Sequence, residues 1–338
     1  MRPRFVLAAA AALALTAVTT GTATAGSPDQ GGFGFAVIGD IPYGPAQIAS
    51  FPSVVDQINA DAGVQFVDHL GDIKDGSSVC SDDYFAMVRA QFDRFDDPTV
   101  YTPGDNEWTD CHRPNNGGYD PLERLQAVRK DFFPNPGKTL GRQSVAVHSQ
   151  EDRGFPENVS YQRAGVSFAA VHVVGSNNSL APWTGKTGPT PEQSAEVQKR
   201  TAAALDLINE AFDQAHGRKA VVLLMQADMF DPTVPNPAFS NYSAFQEIVR
   251  TIAQRSAAFD GPVYLFNGDS HVYNTDTPLG PGSSWLGFYG VTTPAPNLTR
   301  ITVDGSNGVN DYLRVTVEPN DPKVLTWEKV PFAAPPAS

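Results

Sequence analysis

The sequence predicts an α/β fold, and two observations support this prediction. Between residue 33 and about residue 270, short β-branched and aromatic runs alternate with stretches whose apolar residues recur at helical spacing. This alternation favours a parallel sheet with helices on its faces. After Gly280 the pattern changes to short strands separated by proline, glycine and asparagine turns, which indicates an antiparallel second sheet packed on the first.

The first half of the chain is predicted to contain three strands and three helices. Helical spacing is clearest for Ile48, Phe51 and Val55, and the third helix begins with Pro121, a residue favoured in the first helical position. Residues 134–158 look irregular. The predicted strands are 33–39, 64–70 and 99–102, and the predicted helices are 46–60, 82–95 and 121–133.

The second half begins with a hairpin turning at Ala164-Gly165, followed by a loop at 175–178. Residues 219–225 form a continuous apolar run, which is typical of a strand buried on both faces. No helix is expected after Gly280. The predicted helices are 191–216 and 243–259, and the predicted strands are 160–164, 166–174, 219–225, 263–266, 285–289, 298–303, 312–317 and 324–327.

The chain of 338 residues starts with a segment that has the pattern of a secretory signal peptide, residues 1–25. Arg2 and Arg4 precede an apolar run, and Ala23-Thr24-Ala25 supplies the small residues of a cleavage site. A membrane anchor is the alternative, but the apolar run is shorter than the roughly 20 residues that span a bilayer. We expect residues 26–32 to be flexible, residues 33–330 to form one domain, and residues 331–338 to be a flexible tail.

The formal net charge of −13 argues against nucleic acid or an anionic membrane surface as a partner. The chain has two cysteines, Cys80 and Cys111, and a pair in an exported protein favours a disulfide over two buried thiols. Such a bridge would join the loops that follow Asp72 and Asp105.

Four aspartates each follow a glycine at the end of a predicted strand: Asp40, Asp72, Asp105 and Asp269. In an open parallel sheet, ligands bind where the carboxyl ends of the strands open into loops. Carboxylates gathered there would repel one another unless a cation lay between them. The sequence therefore predicts one metal site built from these four loops.

The order of these motifs resembles the calcineurin-like metallophosphoesterase family over about residues 33–330. Gly71-Asp72-Ile73-Lys74-Asp75 matches the second motif of the family, Gly-Asp-x-x-Asp, in full. Asp40-Ile41-Pro42 lies where the family has Asp-x-His, and Gly104-Asp105-Asn106-Glu107 where it has Gly-Asn-His-Asp/Glu. Gln226 replaces the lone histidine, and Gly268-Asp269-Ser270-His271 replaces Gly-His-x-His.

The resemblance implies a four-layer α/β/β/α sandwich with mixed sheets and helices on the outer faces. It also implies one or two divalent ions, with Asp72 as the bridging ligand, whereas Pro42 cannot be a ligand. One ion would contact Asp40, Asp72 and His271, and the other would contact Asp72, Asp105, Gln226 and Asp269. An oxygen-rich set of this kind favours Mn²⁺, Mg²⁺ or Ca²⁺ over Zn²⁺ or iron.

Two residues are the catalytic candidates. Asn106 stands where the family has its proton-donating histidine, and an amide cannot supply a proton near neutral pH. A shifted alignment would make Asn106 a ligand and put Glu107 in the histidine position, but the unshifted one preserves the glycine and the final acid. His112 could replace the lost acid if the disulfide holds it near the site; the alternative is a solvated loop histidine.

The candidates for substrate binding are Lys74, Arg113 and Asn177. Lys74 lies inside the second motif, and Arg113 could contact a phosphate group, although an exposed loop arginine is the alternative. Asn177 follows a core strand and could reach the substrate, but turn chemistry explains it as well.

The resemblance implies a secreted hydrolase of phosphomonoesters or phosphodiesters, in which metal-activated water attacks phosphorus in a small phosphorylated substrate. We expect no transmembrane anchor, and the oligomeric state is left open. The alternative is a non-catalytic, metal-stabilised binding protein on the same scaffold, which Pro42, Asn106 and Gln226 favour. A serine hydrolase is disfavoured because the chain lacks Gly-x-Ser-x-Gly.

Overall fold

The structure, a computed structural model, describes residues 32–333. The predicted signal peptide, almost all of the segment 26–32, and residues 334–338 lie outside the described part. Among the described helices, none is both long and apolar enough to cross a lipid bilayer.

The described chain forms twelve strands, which we label β1 to β12, and seven helical segments, α1 to α7. The strands are Phe33–Ile38, Val67–His69, Thr99–Tyr101, His148–Gln150, Phe155–Arg163, Val166–Ala170, Ala220–Leu224, Val263–Asn267, Asn274–Asp276, Leu298–Thr302, Asp311–Val317 and Leu325–Pro331. The helical segments are Gly44–Ala60, Asp82–Phe92, Pro121–Phe132, Gly175–Asn178, Pro191–Gln214, Gln246–Ala257 and Ser284–Tyr289. The fourth, α4, is a tight turn, because Ser176 and Asn177 have φ angles of 52° and 55°.

The strands form two mixed sheets. The first has the order β12-β11-β1-β2-β3, and the second has the order β4-β5-β6-β7-β8-β10-β9. Strands β1, β2 and β3 are parallel, as are β6, β7, β8 and β10, and the remaining pairings are antiparallel. The α/β class is confirmed, since each sheet contains a run of parallel strands.

The two sheets pack face to face, and helices cover both outer faces. Phe35 of β1 packs between Phe168 and Phe266 of the second sheet, with ring centroids 5.6 and 6.1 Å apart. Fully burying one such side chain stabilises the fold by roughly 1.5–3 kcal/mol. Helices α1, α2 and α3 pack on the first sheet, and α5, α6 and α7 on the second. The predicted α/β/β/α sandwich is therefore confirmed.

The strands after residue 280 do not form a separate antiparallel sheet, so this prediction is wrong. Strand β10 pairs parallel to β8 within the second sheet, while β11 and β12 extend the first sheet beside β1. An unpaired edge leaves backbone donors and acceptors without partners. The late strands remove the open edges of β1 and β8.

The predicted strand 285–289 is a helix, α7, and the prediction that no helix follows Gly280 is also wrong. The Ser283 hydroxyl accepts a hydrogen bond from the backbone N–H of Trp285, and Gly290 ends the helix with a φ of 65°. Helical spacing puts Trp285 and Tyr289 on one side, where both rings pack against Phe230.

The remaining differences are two short strands that were not predicted, β4 and β9, and shifts at boundaries. The predicted β5–β6 hairpin is confirmed, but β4 lies in the segment 134–158 that looked irregular. Helix α2 ends at Phe92 rather than residue 95. Pro331 still pairs with Asp311 in the sheet and the N–H of Phe332 donates to the carbonyl of Asn310, so these two residues of the predicted tail belong to the fold.

Candidate metal centre

The four predicted aspartates lie together where the two sheets meet. Strands β1, β2, β3 and β8 each end just before one of them, so four loops from both sheets converge. Asp40, Asp72 and Asp105 are buried, and Asp269 is partly exposed. The backbone N–H of Asp269 donates to the carboxylate of Asp40 at 3.2 Å although 229 residues separate them. Tertiary structure thus gathers side chains that are distant along the chain.

Two of the glycines that precede the aspartates, Gly104 and Gly268, have a neighbouring carboxylate packed against them. A Cβ on Gly104 would lie 2.1 Å from an oxygen of Asp72, and a Cβ on Gly268 would lie 2.1 Å from an oxygen of Asp40. Neither distance is sterically allowed. In these two loops the Gly-Asp pair therefore supplies both a carboxylate and the space for a carboxylate from another loop.

Backbone strain is concentrated at the same place. Asp40, Asp72, Asp269 and His271 have φ angles of 53°, 54°, 72° and 62°, in the left-handed region. Each such residue costs about 1 kcal/mol or more and persists only where surrounding contacts enforce it. The fold therefore holds these four side chains in one arrangement at an energetic cost.

Two groups of donor atoms are close enough for one ion each. The donor atoms of Asp40, Asp72 and His271 lie within 4.8 Å of one another, and so do those of Asp72, Asp105 and Asp269. Ligand oxygens lie about 2.0–2.6 Å from a divalent ion, so the spacing of the donor atoms, taken alone, would let one ion contact all members of such a group. Asp72 belongs to both groups.

The electrostatics of the centre favour a cation. Burial, together with the charges of the neighbouring carboxylates, raises the pKa of Asp72 and of Asp269 well above the usual value. Burial lowers the pKa of His271, but Asp40, 3.1 Å from its Nε2 atom, outweighs burial and the net shift is upward. In residues 32–333, no lysine or arginine forms an ion pair or hydrogen bond with the four aspartates. The donor set therefore fits a divalent metal ion.

Tyr43 completes the first donor group and was missed by the sequence analysis. Its hydroxyl lies 3.0 Å from Oδ2 of Asp72, 3.5 Å from Oδ1 of Asp40 and 3.3 Å from Nε2 of His271. Burial and the adjacent carboxylates raise the pKa of Tyr43, so it keeps its proton. In the sequence, only its position three residues after Asp40 relates Tyr43 to the centre.

Two buried side chains hold the loops in register. Oε1 of Glu107 accepts hydrogen bonds from the backbone N–H groups of Asp72 and Gly104, at 3.2 and 2.6 Å. His69 lies 2.8 Å from the carbonyl of Ile41 through Nε2, and its Nδ1 accepts from Gly71 N–H at 3.2 Å. Glu107 therefore joins the loops that carry Asp72 and Asp105, and His69 joins the loops that carry Asp40 and Asp72.

Gln226 and Asn106 both reach the centre with their amide groups. The amide nitrogen of Gln226 lies 3.1 Å from Oδ2 of Asp72 and 3.0 Å from Oδ1 of Asp269. The amide of Asn106 donates to Asp72 and to the hydroxyl of Tyr43, at 2.9 and 2.8 Å. Gln226 and Asn106, two of the residues that stand where the family motifs have histidine, thus donate hydrogen bonds to the carboxylates.

The predicted disulfide between Cys80 and Cys111 is present, with a Cα–Cα distance of 5.9 Å. It does not direct His112 to the carboxylates as expected. Nδ1 of His112 lies 2.7 Å from the hydroxyl of Thr184 and accepts from the backbone N–H of Thr184 at 2.9 Å. The neighbouring loop therefore holds the imidazole, and nothing in its contacts supports a role as acid.

The three substrate-binding candidates have different surroundings. Lys74 does not support a substrate contact, because its ammonium group is buried and donates to the carbonyls of Asp75 and Asn106 at 2.7 and 2.9 Å. Arg113 is 42% exposed and pairs with Asp110 at 2.7 Å. Asn177 donates to the carbonyl of Ser240 at 3.1 Å and so joins two loops.

Two further polar residues of the centre had no signal in the sequence. The hydroxyl of Ser176 donates to Asp105 at 2.8 Å and to Asp110 at 3.1 Å. Burial and the charge of Asp105 outweigh Arg113 and raise the pKa of Asp110 to about 7. Asp110 lies in the short 3-10 helix Thr109–His112 and Ser176 in the tight turn α4, where local pattern does not indicate a buried position.

A cavity of about 770 Å³ opens beside the centre. Asp269 and Gly175 belong both to the centre and to the cavity wall, and the rest of the wall comes mainly from the loops 176–189 and 228–245. Leu180, Val234 and Phe245 supply apolar surface. A ligand bound at the carboxylates can therefore extend an organic group into this space.

Comparison of the structure with solved structures found resemblances of low identity. The GAP50 anchor of the inner membrane complex of Plasmodium is 9% identical, with a TM-score of 0.42, and the match covers 90% of each chain. Purple acid phosphatase PPD1 of yellow lupin is 10% identical, with a TM-score of 0.44 and coverage of 89% of this chain and 54% of that one. A 5'-nucleotidase precursor from Thermus thermophilus is 11% identical, with a TM-score of 0.43 and coverage of 89% and 54%. The chain thus spans about half the length of the lupin and Thermus proteins.

Comparison of the sequence gave a direct result. No curated protein matches the chain. A family model described as calcineurin-like phosphoesterase matches residues 33–186, the segment that contains Asp40, Asp72 and Asp105. Over residues 33–186 the resemblance indicated by the order of the motifs is therefore confirmed, and this segment is similar to the calcineurin-like phosphoesterase family.

Proposed function

We propose that this chain is an exported, metal-dependent hydrolase of phosphoesters, with residues 33–330 acting as one domain. The observation that supports it most directly is the converged set of four aspartates and His271, which has no lysine or arginine bonded to it within the described residues. Buried carboxylates that lack neighbouring positive charges are stable only when they are protonated or when they bind a cation. The family match over residues 33–186 supports the same reaction class.

In this proposal Asp40, Asp72 and His271 hold a divalent ion, and Tyr43 donates a hydrogen bond to Asp72. When bound, such an ion activates water and neutralises the charge that develops on the phosphoryl group. The predominance of oxygen ligands favours Mn²⁺, Mg²⁺ or Ca²⁺.

The residues around the ion set the preferred leaving group. In this proposal Arg113, whose side chain is 42% exposed and pairs with Asp110, contacts a phosphate oxygen. Asn106 cannot protonate a leaving group, and His112 is turned toward Thr184. Esters whose alcohol departs without a proton, such as aryl phosphates, are therefore the expected substrates.

The cavity beside Asp269 suits the organic part of such an ester. Its wall includes Leu180, Val234, Tyr242 and Phe245, and none of the described residues that line it is a lysine, arginine or histidine. Apolar walls favour an uncharged group, and the lack of cations disfavours a second phosphate. An aryl phosphate is therefore expected to show a higher kcat/KM than a nucleoside triphosphate.

The test is hydrolysis of 4-nitrophenyl phosphate and bis(4-nitrophenyl) phosphate by the mature protein with Mn²⁺, Mg²⁺ or Ca²⁺. We expect activity that EDTA abolishes and that falls at least about 100-fold in Asp72→Ala, because Asp72 belongs to both donor groups. The matched control is Asp206→Ala, which removes an exposed carboxylate on α5 and should retain full activity.

Equal inactivity of the metal-loaded wild type and of Asp72→Ala toward monoesters and diesters would contradict the proposed catalysis. A large metal-dependent rise of the melting temperature without turnover would instead identify the metal-stabilised binding protein. Export is supported by the disulfide between Cys80 and Cys111, since such bonds persist mainly in oxidising compartments.

A further inference from the structure

We propose that the amide of Gln226 takes the place of a second metal ion, so that the centre binds one divalent ion rather than two. The ion lies in the first donor group, Asp40, Asp72 and His271. This inference rests on the proposed function only in requiring that the centre bind metal at all.

The orientation of the amide is fixed by the backbone. Gln226 is fully buried, and its Oε1 atom accepts a hydrogen bond from the N–H of Gly175 at 2.6 Å. A backbone N–H can only donate, so the atom that faces it must be the amide oxygen. The NH₂ group must therefore be the end that faces the carboxylates.

That NH₂ group lies inside the second donor group. Its nitrogen is 3.1 Å from Oδ2 of Asp72, 3.5 Å from Oδ1 of Asp105 and 3.0 Å from Oδ1 of Asp269. These three residues are all the members of that group. An ion would need to lie about 2.0–2.6 Å from the same oxygens, and the amide nitrogen already fills the space between them.

The first donor group differs in the chemistry of the atom at its centre. There the hydroxyl of Tyr43 lies between Asp40, Asp72 and His271. A hydroxyl oxygen both donates and accepts, so it tolerates or contacts an adjacent cation, whereas an amide NH₂ has only protons to offer. The same degree of crowding therefore excludes an ion from one group and not from the other.

The amide cannot turn over to offer its oxygen to an ion. Rotation would place the NH₂ group against the N–H of Gly175, leaving both donors without an acceptor in a buried site. Gly175 itself cannot move away freely, because its position is pressed against the centre. A Cβ on Gly175 would lie 2.7 Å from oxygens of both Asp105 and Asp269.

The experiment counts Mn²⁺ ions bound to the mature protein and to Gln226→Glu. The two side chains have the same shape, but glutamate places an oxygen where the NH₂ group stands and keeps the acceptor for Gly175. After removal of metal with EDTA and dialysis against Mn²⁺, we expect one ion per wild-type chain and two per Gln226→Glu chain. Electron paramagnetic resonance should show isolated Mn²⁺ in the wild type and coupled ions in the variant.

Gln226→His serves as a second variant if the added charge of glutamate prevents folding without metal, and it should likewise bind two ions. Gln254→Glu, on the exposed side of α6, is the matched control and should bind one. Two ions in the wild type, or one ion in both Gln226 variants, would overturn this inference and leave the proposed function standing. No bound ion in the wild type would overturn both.

Discussion

The buried carboxylate of Glu157 and those of the candidate metal centre differ in the charged groups that surround them. Glu157, on β5, is fully buried and receives hydrogen bonds from Arg129 at 3.0 Å and from His172 at 2.8 Å. Burial alone would raise the pKa of Glu157, but the contacts from His172 and Arg129 outweigh it and lower the pKa to about 2. At the metal centre, Asp72 is equally buried and its pKa is shifted in the opposite direction.

The difference shows what the chain supplies for itself and what it leaves to a ligand. A buried charge is stable when a partner of opposite sign is built in, and is costly otherwise. Glu157 has such a partner, whereas Asp40, Asp72, Asp105 and Asp269 have amide and hydroxyl donors and one histidine. The negative charge of the four aspartates is therefore not balanced by the chain, whereas the charge of Glu157 is.

The largest effect is expected from removing the partner of Glu157. Arg129→Met keeps most of the side-chain volume but removes one of the two partners of buried Glu157 and leaves only His172, so the free energy of unfolding should fall by about 3–5 kcal/mol. Arg142→Met, which breaks an exposed pair with Asp96, is the control and should change it by less than about 1 kcal/mol. Chemical denaturation measures both, and equal effects would contradict the contrast between buried and exposed pairs.

The disulfide comes next, because it joins two of the loops whose carboxylates repel one another. Replacing both Cys80 and Cys111 with serine frees a loop closed over 31 residues and should lower the free energy of unfolding by about 3–4 kcal/mol. Denaturation midpoints of the double variant and the wild type, both with EDTA, test this. An unchanged midpoint would mean that the loops are held by other contacts.

Acid should act on the two regions at different pH values. The pKa of Glu157 is lowered on folding, so its contribution is fully present above its ordinary value of about 4.5 and is lost as the pH falls toward about 2. It amounts to about 3 kcal/mol. The stability difference between wild type and Glu157→Gln should therefore be constant from pH 5 to pH 8 and shrink below pH 4.5. A difference that shrinks already near pH 6 would contradict this assignment.

The smallest effect is expected at the metal centre, and its sign is reversed. Burial and Asp40 raise the pKa of Asp105, so in metal-free protein this carboxyl destabilises the fold increasingly as the pH rises above about 4. Asp105→Asn should therefore stabilise the metal-free protein by about 1 kcal/mol at pH 8, and by less at pH 5. Asp206→Asn, at an exposed position on α5, is the control. If Asp105→Asn destabilised the protein in EDTA, the claim that the four aspartates carry unbalanced negative charge without metal would be wrong.

Features that depend on neighbouring residues could be predicted from the sequence, and features that depend on residues distant along the chain could not. The hairpin between β5 and β6 was predicted because its strands are adjacent and its turn is local. The partners of β10 and β11 were not, because pairing with β8 and β1 depends on edges far away along the chain. The error at 285–289 had a local remedy: Ser283 before the run and Gly290 after it are helix-capping residues.

The same distinction applies to the residues of the candidate metal centre. The aspartates could be predicted because each follows a glycine at the end of a strand, whereas the direction of Lys74 and His112 could not. Both lie in loops where the orientation of the side chain depends on contacts with carbonyl and hydroxyl groups from distant segments. Tyr43 was missed because nothing in its neighbourhood shows that its hydroxyl meets Asp72 and His271.

By itself, the sequence determined that strands alternate with helices and that four strands end in Gly-Asp, since these patterns depend on each residue and its immediate neighbours. Only the tertiary structure decided which way each side chain faces at the centre, and above all that the NH₂ group of Gln226 points at the carboxylates. That orientation depends on one backbone donor, Gly175, which the chain brings into contact with Gln226 across 51 residues.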